Sequence, residues 1–232
     1  METTPSKLVR QRLPHLNFLV TAGPTREPVD PVRYLSNRSS GRMGYAVARA
    51  AARRGHDVML ISGPVALTPP PGVYLVKVNT ALEMLGAVRQ HVAWCDVLVM
   101  AAAVADWRPA HPARRKIKKH TGDLTLVLRP TPDILLRVRR YKGDRLFVGF
   151  AAETENLSAG ACDKLRRKGL DLILANDVSR SDIGFDVPDN QVTLFTADGR
   201  REDWPRMRKT ALALRLVRLL EGAVAVNKIN SA

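Results

Sequence analysis

The sequence is poor in cysteine and in aromatic residues. Among 232 residues there are two cysteines, Cys95 and Cys162, and aromatic side chains make up 5% of the chain. Two cysteines make no disulfide framework, and neither has a partner at metal-ligand spacing, so we expect a reduced, cytoplasmic protein. The scarcity of aromatic rings argues against the stacking platforms on which proteins bind single-stranded nucleic acid.

Long apolar runs are also absent. No run is long enough to span a membrane, and residues 1–16 lack the apolar core of a signal peptide, so we expect neither a membrane partner nor a secretory leader. Residues 1–16 are predicted to form an N-terminal arm. Residues 17–224 are predicted to form one domain, and residues 225–232 a C-terminal tail.

Acidic residues are outnumbered by basic ones. The chain has 37 Lys and Arg against 22 Asp and Glu, which gives a net charge of +15. Such a balance suits acidic partners such as nucleic acids, nucleotides or phosphorylated metabolites. The excess is spread along the chain, so a non-catalytic nucleic-acid-binding domain stays only as an alternative hypothesis.

Two nucleotide-binding motifs are missing. A dinucleotide site requires G-x-G-x-x-G after the first strand and a carboxylate at the end of the second. Here Gly23 is far from Gly41 and Gly44, the second strand ends at Ser62-Gly63, and no Gly-Lys pair exists for a P-loop. The five histidines show no metal-ligand spacing, so we expect no metal held by the protein alone. A nicotinamide or flavin oxidoreductase is a further alternative, supported only by the predicted sheet.

Apolar runs alternate with amphipathic segments along most of the chain. This pattern predicts an α/β fold, with a Rossmann-like, mostly parallel sheet and helices on both faces. Strands are predicted at residues 17–21, 57–62, 73–78, 96–103, 146–151, 170–176 and 192–196, the last followed by a turn at Asp198-Gly199. Helices are predicted at residues 41–54, 80–93, 157–168 and 209–220, and one more is expected to begin at Thr131-Pro132.

Residues 107–130, the basic flap, interrupt this pattern. Their first part contains Pro109, Pro112 and the run Lys116-Ile117-Lys118-Lys119, which predicts an exposed loop. Residues 124–128 alternate like a strand at an edge or an interface. A solvated charge run is the plainer interpretation of the lysines.

An unusual loop precedes the first helix. Residues 23–40 bring prolines, arginines and hydroxyl groups to a helix N-terminus, where free backbone N–H groups attract anions. Ser39, Ser40 and Gly41 are small enough to let an oxyanion approach, although an ordinary helix cap would have the same composition. We predict a phosphate or intermediate site there.

Other polar residues are predicted to reach the same sheet edge. Asp106 and Asn176-Asp177 follow buried strands at their carboxyl ends, where open α/β sheets bind ligands. Lys164 and Lys168 share one face of a predicted helix. With Arg33, Asn37 and Lys116 they form a set without a nucleophile–base pair, which suits nucleotide chemistry by positioning and electrostatics. Helix caps and solvated faces are the alternatives.

Seven motifs then occur in a characteristic order. They are residues 22–28, 30–34, 36–44, 102–106, 116–119, 149–154 and 175–178. In these motifs, over about residues 17–220, the sequence closely resembles the phosphopantothenate–cysteine ligases, also called phosphopantothenoylcysteine synthetases. In many bacteria this enzyme is the C-terminal half of a fusion with a flavin-dependent decarboxylase, so the resemblance implies either a free-standing form, with a separate decarboxylase, or a part of that fusion.

The resemblance implies a two-step ligation in coenzyme A biosynthesis. The carboxylate of 4′-phosphopantothenate attacks the α-phosphate of a nucleoside triphosphate and releases pyrophosphate. The amine of L-cysteine then attacks the acyl carbon and releases the monophosphate. Asn37, with Arg33 beside it, matches the family's residue that holds the acyl intermediate, and Lys116 matches the lysine that closes on the triphosphate.

The same resemblance implies the nucleotide site and the assembly. The co-substrate is expected to be CTP, with UTP or ATP as alternatives, accompanied by Mg²⁺, for which Asp106 is the candidate protein ligand. A homodimer is implied, and we expect residues 124–128 to contribute to its interface. The matching nucleotide contacts are Ala101, Ala102, Asp106, Lys116, Pro132, Asp133, Ile134, Leu135, Phe150, Lys164 and Lys168.

Overall fold

The computed structural model describes residues 14–119, 121–153, 157–177 and 187–230. Most of the predicted N-terminal arm lies outside these residues. The strands are β1 Asn17–Ala22, β2 Arg26–Pro28, β3 Tyr34–Ser36, β4 Asp57–Ser62, β5 Val73–Lys77, β6 Val97–Met100, β7 Trp107–Pro109, β8 Leu128–Pro130, β9 Leu146–Glu153, β10 Leu172–Asp177, β11 Asp189–Thr196 and β12 Arg201–Arg208. The helices are α1 Arg42–Arg53, α2 Ala81–His91, α3 Ile134–Val138, α4 Leu157–Lys168 and α5 Lys209–Asn230, and a 3₁₀ turn covers Arg139–Tyr141.

Eight strands form one sheet in the order β12-β11-β10-β9-β6-β1-β4-β5. The six strands from β10 to β5 are parallel, whereas β11 and β12 form an antiparallel hairpin at one edge. The chain builds outward from β1 in both directions, so β1 and β6 flank the switch point at which such sheets bind ligands. The predicted Rossmann-like fold class is confirmed.

Each face of the sheet is covered by helices. Phe18 and Val20 of β1 belong to the core beneath α1 and α5, whereas Leu19 between them faces the core beneath α2, α3 and α4. Successive side chains of a strand point to opposite faces, so a strand buried on both sides must be apolar at every position. This is why the predicted central strands appeared as continuous apolar runs.

Several element ends differ from the predictions. β6 stops at Met100 rather than at residue 103, because the chain there leaves the sheet and pairs with the loop after β1. α5 continues to Asn230, so residues 225–230 of the predicted tail are helical. β12 was missed because charged residues dominate Arg201–Arg208 and only Trp204 among them is fully buried.

The predicted strand at residues 124–128 is wrong. The strand is β8, Leu128–Pro130, and it pairs antiparallel with β7. Leu124, Leu126 and Val127 are exposed by 48%, 37% and 68%, so no buried face fixes their register. The alternation of residue types therefore carried no information about pairing.

The start of α3 also differs from the prediction. Asp133, not Thr131, caps the helix, because its carboxylate accepts a hydrogen bond from the N–H of Leu136. The hydroxyl of Thr131 instead donates to the carbonyl of Ala105 at 2.5 Å. This bond ties the segment before α3 to the loop after β6.

Candidate functional site

A cleft of about 350 Å³ opens at the carboxyl ends of the central strands. The loop after β6 forms one wall, the N-terminus of α1 a second, and residues from α3 and α4 a third. Its polar lining residues are Asn37, Ser39, Ser40, Arg42, Asp106, Thr131, Asp133, Lys164, Lys168, Asn176, Asn190 and Lys209.

Glycine brings the N-terminus of α1 against this cleft. Gly41 precedes the helix with φ +73°, a conformation that costs a glycine little. A Cβ on Gly44 would lie 2.6 Å from the Cβ of Ala22 and 2.7 Å from the carbonyl oxygen of Thr21. Only glycine lets the helix pack this closely on the end of β1. Gly41 is the N-cap residue and has no side chain with which to cap α1, so the first N–H groups of the helix are suited to an anion.

The loops after β1 and β6 run side by side. The N–H of Ala103 donates to the carbonyl of Gly23 at 2.9 Å, and the N–H of Ala105 donates to the hydroxyl of Thr25 at the same distance. The side-chain amide of Asn37 donates to the carbonyl of Val104. These bonds place the wall that contains Asp106 opposite the start of α1.

Positive charge predominates among the lining residues that the structure describes. Arg42, Lys164, Lys168 and Lys209 face two carboxylates, Asp106 and Asp133. The ammonium of Lys168 lies 3.0 Å from the Asp133 carboxylate, which joins α4 to the cap of α3. A concave site lined by several cations, with a helix N-terminus that lacks a side-chain cap, favours a polyphosphate ligand.

The structure brings most of the predicted site residues into this one cleft. The predicted phosphate-site residues Ser39, Ser40 and Gly41 line it, as does Asn37. Ten of the eleven predicted nucleotide contacts also line it, namely Ala101, Ala102, Asp106, Pro132, Asp133, Ile134, Leu135, Phe150, Lys164 and Lys168.

Two predicted residues, Arg33 and Lys116, do not line the cleft. The guanidinium of Arg33 lies 2.7 Å from the Asp30 carboxylate and also donates to the carbonyl of Ile117. Lys116, next to Ile117 in the basic flap, is exposed. The expectation that six polar residues reach one sheet edge therefore holds for Asn37, Asp106, Lys164 and Lys168, which line the cleft.

Three charged or amide side chains of the lining were missed by the sequence prediction: Arg42, Asn190 and Lys209. Arg42 lies inside a motif that was singled out, but nothing distinguished it from the other arginines. Asn190 is the second residue of β11 and Lys209 begins α5, and both are buried. Only the hairpin of β11 and β12, whose second strand was not predicted, places them at the cleft.

The described ranges contain no group of three or more His, Cys, Asp or Glu side chains placed to hold a metal ion. Within the same ranges, no helix is both long and apolar enough to cross a membrane.

Comparison with known families decides the relationship. Residues 13–223 match the family described as the DNA/pantothenate metabolism flavoprotein C-terminal domain. The chain belongs to this family. The flavoprotein C-terminal domain therefore accounts for nearly all of the sheet, its helices and the cleft.

Relatives of this domain are parts of longer proteins. The chain is 53% identical over 191 residues to the coenzyme A biosynthesis bifunctional protein CoaBC of Escherichia coli strain K12, a match that covers 81% of the chain and 47% of that protein. The chain thus spans about half the length of the curated relatives it matches.

Solved structures agree with the fold. The crystal structure of the C-terminal domain of a CoaBC protein matches with a TM-score of 0.78 and 40% identity, covering 90% of this chain and 95% of that one. A mutant of Cab2 in complex with phosphopantothenate-cysteine matches with a TM-score of 0.74 and 17% identity, covering 93% and 88%. The second likeness concerns the fold alone.

Proposed function

We propose that this flavoprotein C-terminal domain is a ligase that joins 4′-phosphopantothenate to L-cysteine in coenzyme A biosynthesis. One observation carries the proposal: residues from four of the motifs that carried the family resemblance, far apart in sequence, line one positively charged cleft. The 53% identity to the E. coli bifunctional protein supports it.

The nucleoside triphosphate occupies the cleft in this proposal. Ala101 and Ala102 follow β6 with small side chains, which leaves room for a flat base beside Phe150. Lys164 and Lys168 extend from α4 toward the phosphates, and the N-terminus of α1 supplies backbone N–H groups. We favour CTP as the co-substrate, with UTP and ATP as alternatives.

The first step is a displacement at phosphorus. The substrate carboxylate attacks the α-phosphate, the P–O bond that links the α-phosphorus to the bridging oxygen breaks, and pyrophosphate leaves with its charge. The substrate carboxylate is itself the nucleophile, so the reaction needs no nucleophilic side chain. The protein's part is to hold both anions in line and to neutralise the charge that develops. We assign part of this neutralisation to Lys116 on the basic flap.

The second step is acyl transfer. The amine of cysteine attacks the acyl carbon, the nucleoside monophosphate leaves, and the amine loses a proton. Asn37, at the wall between α1 and Asp106, is suited to hold the acyl intermediate through its amide. Arg33 lies four residues earlier, directly before β3.

The donor set fits a magnesium ion that arrives with the triphosphate. Mg²⁺ is usually held by one or two carboxylates together with substrate phosphates. Asp106 is exposed in the cleft, whereas Asp133 is already engaged by Lys168 and the cap of α3. Asp106 would therefore be the protein's ligand, and the ion would neutralise phosphate charge.

The proposal extends to the enzyme's setting. We propose a cytoplasmic homodimer whose product is consumed by a flavin-dependent decarboxylase, which is either a separate protein or the other half of a fusion. The match to about half of a bifunctional coenzyme A biosynthesis protein supports the presence of a second enzyme beside this one.

The decisive test is pyrophosphate release from the purified chain. CTP, UTP and ATP are each supplied with 4′-phosphopantothenate, with and without L-cysteine, and the adduct is measured by mass spectrometry. We expect release that requires phosphopantothenate, and adduct only when cysteine is present. Absence of release with all three nucleotides would contradict the proposal, and salt-sensitive DNA binding in its place would favour the nucleic-acid alternative.

A matched pair of variants ties the reaction to the cleft. Lys164→Ala with Lys168→Ala removes two lining cations from α4 and should raise KM for the nucleotide. Arg166→Ala removes a cation from the exposed face of the same helix and should leave KM unchanged. An equal effect of both changes would place the nucleotide elsewhere.

A further inference from the structure

A buried carboxylate joins the loop before α1 to the basic flap. The Asp30 side chain is 0% exposed. One of its oxygens accepts hydrogen bonds from the backbone N–H groups of Val32 and Arg33, each at 2.8 Å, and so closes the turn. The other accepts from the Arg33 side chain and from the N–H of Ile117 at 3.0 Å.

Arg33 completes a clamp around the same residue. Its Nη2 donates to the carbonyl of Ile117 at 2.6 Å. Both backbone polar groups of Ile117 are therefore held by one ion pair. A second tie, from the N–H of Ala113 to the carbonyl of Val29 at 2.9 Å, reinforces the attachment.

The clamp is charged under ordinary conditions. Burial opposes ionisation of Asp30, but the hydrogen bonds from Ile117, Arg33 and Val32 outweigh it and hold the pKa of this carboxyl well below its usual range. Hydrogen bonds to an ionised acceptor are stronger than neutral ones. Ile117 is flanked by Lys116 and Lys118, so the clamp fixes the part of the flap that carries those charges.

We propose that Asp30 is a positioning residue that, with Arg33, holds the basic flap at Ile117 and so sets the position of Lys116 relative to the cleft. Arg33 and Lys116 are then coupled through the hydrogen bonds that Arg33 and Asp30 make to Ile117, although neither Arg33 nor Lys116 lines the cleft. The kinetic part of this inference rests on the proposed ligase function, whereas the attachment of the flap does not.

The first test measures attachment without any substrate. Asp30→Asn keeps an oxygen for the turn at Val32 but removes the charge that Arg33 and Ile117 contact. Limited trypsin digestion should then cut after Lys116 or Lys118 about tenfold faster than in the wild type, the scale of one lost charge-assisted hydrogen bond. Asp144→Asn, which removes an exposed carboxylate from the loop before β9, should behave like the wild type.

Cleavage after Arg166 and Arg167 in α4 serves as the measure of general loosening. An Asp30→Asn variant cut at the flap no faster than the wild type would overturn the proposal, and so would one cut faster everywhere by the same factor. If this variant fails to fold, Ile117→Pro removes the N–H that Asp30 accepts while keeping the carboxylate. Cleavage after Lys118 is then the readout. Faster cleavage there than in α4 supports the proposal, whereas unchanged cleavage, or the same acceleration everywhere, overturns it.

The second test asks whether Asp30 acts through Lys116. Asp30→Asn should lower kcat for pyrophosphate release in the enzyme that has Lys116 and cause little further loss in Lys116→Ala, since coupled residues are not additive. Equal losses in both backgrounds would overturn the positioning role. If no pyrophosphate is released by the wild type, the ligase proposal fails, and the digestion alone decides whether Asp30 holds the flap.

Discussion

The side-chain amide of Asn37 donates a hydrogen bond of 2.9 Å to the carbonyl oxygen of Val104. Asn37 follows β3 and Val104 follows β6, so this bond joins two loops that belong to different βα units. The bond also requires a donor at position 37. A side chain of the same size that only accepts hydrogen bonds would place an oxygen against the carbonyl oxygen of Val104, and the two would repel each other.

Asn37→Asp is therefore expected to separate the two proposed steps. The variant should still release pyrophosphate, but it should not form the cysteine adduct, because its carboxylate repels the carbonyl of Val104 and an anionic intermediate. The acyl-nucleotidylate should accumulate and be detected by mass spectrometry of the enzyme. Asn37→Ala, which adds no charge, serves as the comparison. Equal loss of both steps in Asn37→Asp would assign Asn37 a structural role.

Lys116→Ala is expected to impair the first step. If Lys116 neutralises charge on the α- and β-phosphates, its loss should slow pyrophosphate release by a factor of about a hundred or more, as for other lost electrostatic donors. The side chain is exposed, so the midpoint of thermal unfolding should hardly change. Pyrophosphate release near the wild-type rate would show that the flap lysine has been assigned wrongly.

Val127→Lys tests the predicted homodimer. Val127 is 68% exposed next to other exposed apolar residues of the flap, and a two-fold interface would bury it twice. Light scattering should show a shift from dimer to monomer, with a loss of activity. Tyr74→Lys, at a 65% exposed position on edge strand β5, is the control and should keep the dimer mass. A wild-type monomer with normal turnover at micromolar concentration would contradict the prediction.

Two glycine substitutions should change stability in opposite directions. Gly86 lies in α2, and a Cβ added there would meet no atom within 4 Å, so Gly86→Ala should stabilise by about 0.5–1 kcal/mol through helix propensity. Gly44→Ala gains the same propensity but meets Ala22 and Thr21, and overpacking typically costs about 1–3 kcal/mol. Chemical denaturation should show this difference, and a stabilised Gly44→Ala would mean that α1 moves away freely.

A buried ion pair holds α5 to the first βα unit. The Glu221 carboxylate accepts from Arg54 at 2.5 Å and contacts the ring of His56 at 2.8 Å, and its side chain is 2% exposed. Glu221→Gln leaves Arg54 without its counter-ion, a change that in buried pairs costs about 3–5 kcal/mol. Equilibrium unfolding in denaturant at pH 7 measures this cost.

The loss of unfolding free energy caused by Glu221→Gln should depend on pH. Burial raises the pKa of Glu221, but the hydrogen bonds from Arg54 and His56 outweigh it, so the folded pKa is lowered. A lowered carboxyl pKa contributes stability above the unfolded value of about 4.3, and this contribution disappears as pH falls through the folded value. The wild type and Glu221→Gln should therefore differ less at pH 3 than at pH 7. An unchanged difference would mean that Glu221 does not ionise in this way.

The parallel sheet could be predicted because strands buried on both faces must be apolar throughout. α4 was predicted with its observed ends, and the helix predicted at residues 80–93 is α2, whose N-cap Thr80 accepts a hydrogen bond from the N–H of Glu83. β12 could not be recognised, since a strand with one buried face and many charges resembles a loop. Asn190 and Lys209 were missed for the same reason, because only the pairing of β11 with β12 places them at the cleft.

The position of the basic flap could not be predicted from the sequence either. Asp30 and Ile117 are 87 residues apart, and no local pattern indicates that a backbone amide in one segment meets a carboxylate in the other. The residue types that favour a charged, exposed loop are compatible with many arrangements. Which arrangement forms depends on long-range hydrogen bonds that composition does not encode.

The cleft is lined by residues from Asn37 to Lys209, so it exists only when both halves of the chain have folded together. A nucleotide that binds there binds the native state and not the unfolded chain. Binding and folding are then thermodynamically linked, and a ligand at a hundred times its Kd adds about 2.7 kcal/mol to the free energy of unfolding. The melting temperature thus becomes a direct measure of occupancy, and CTP, UTP and ATP can be ranked by it even in a variant that performs no chemistry.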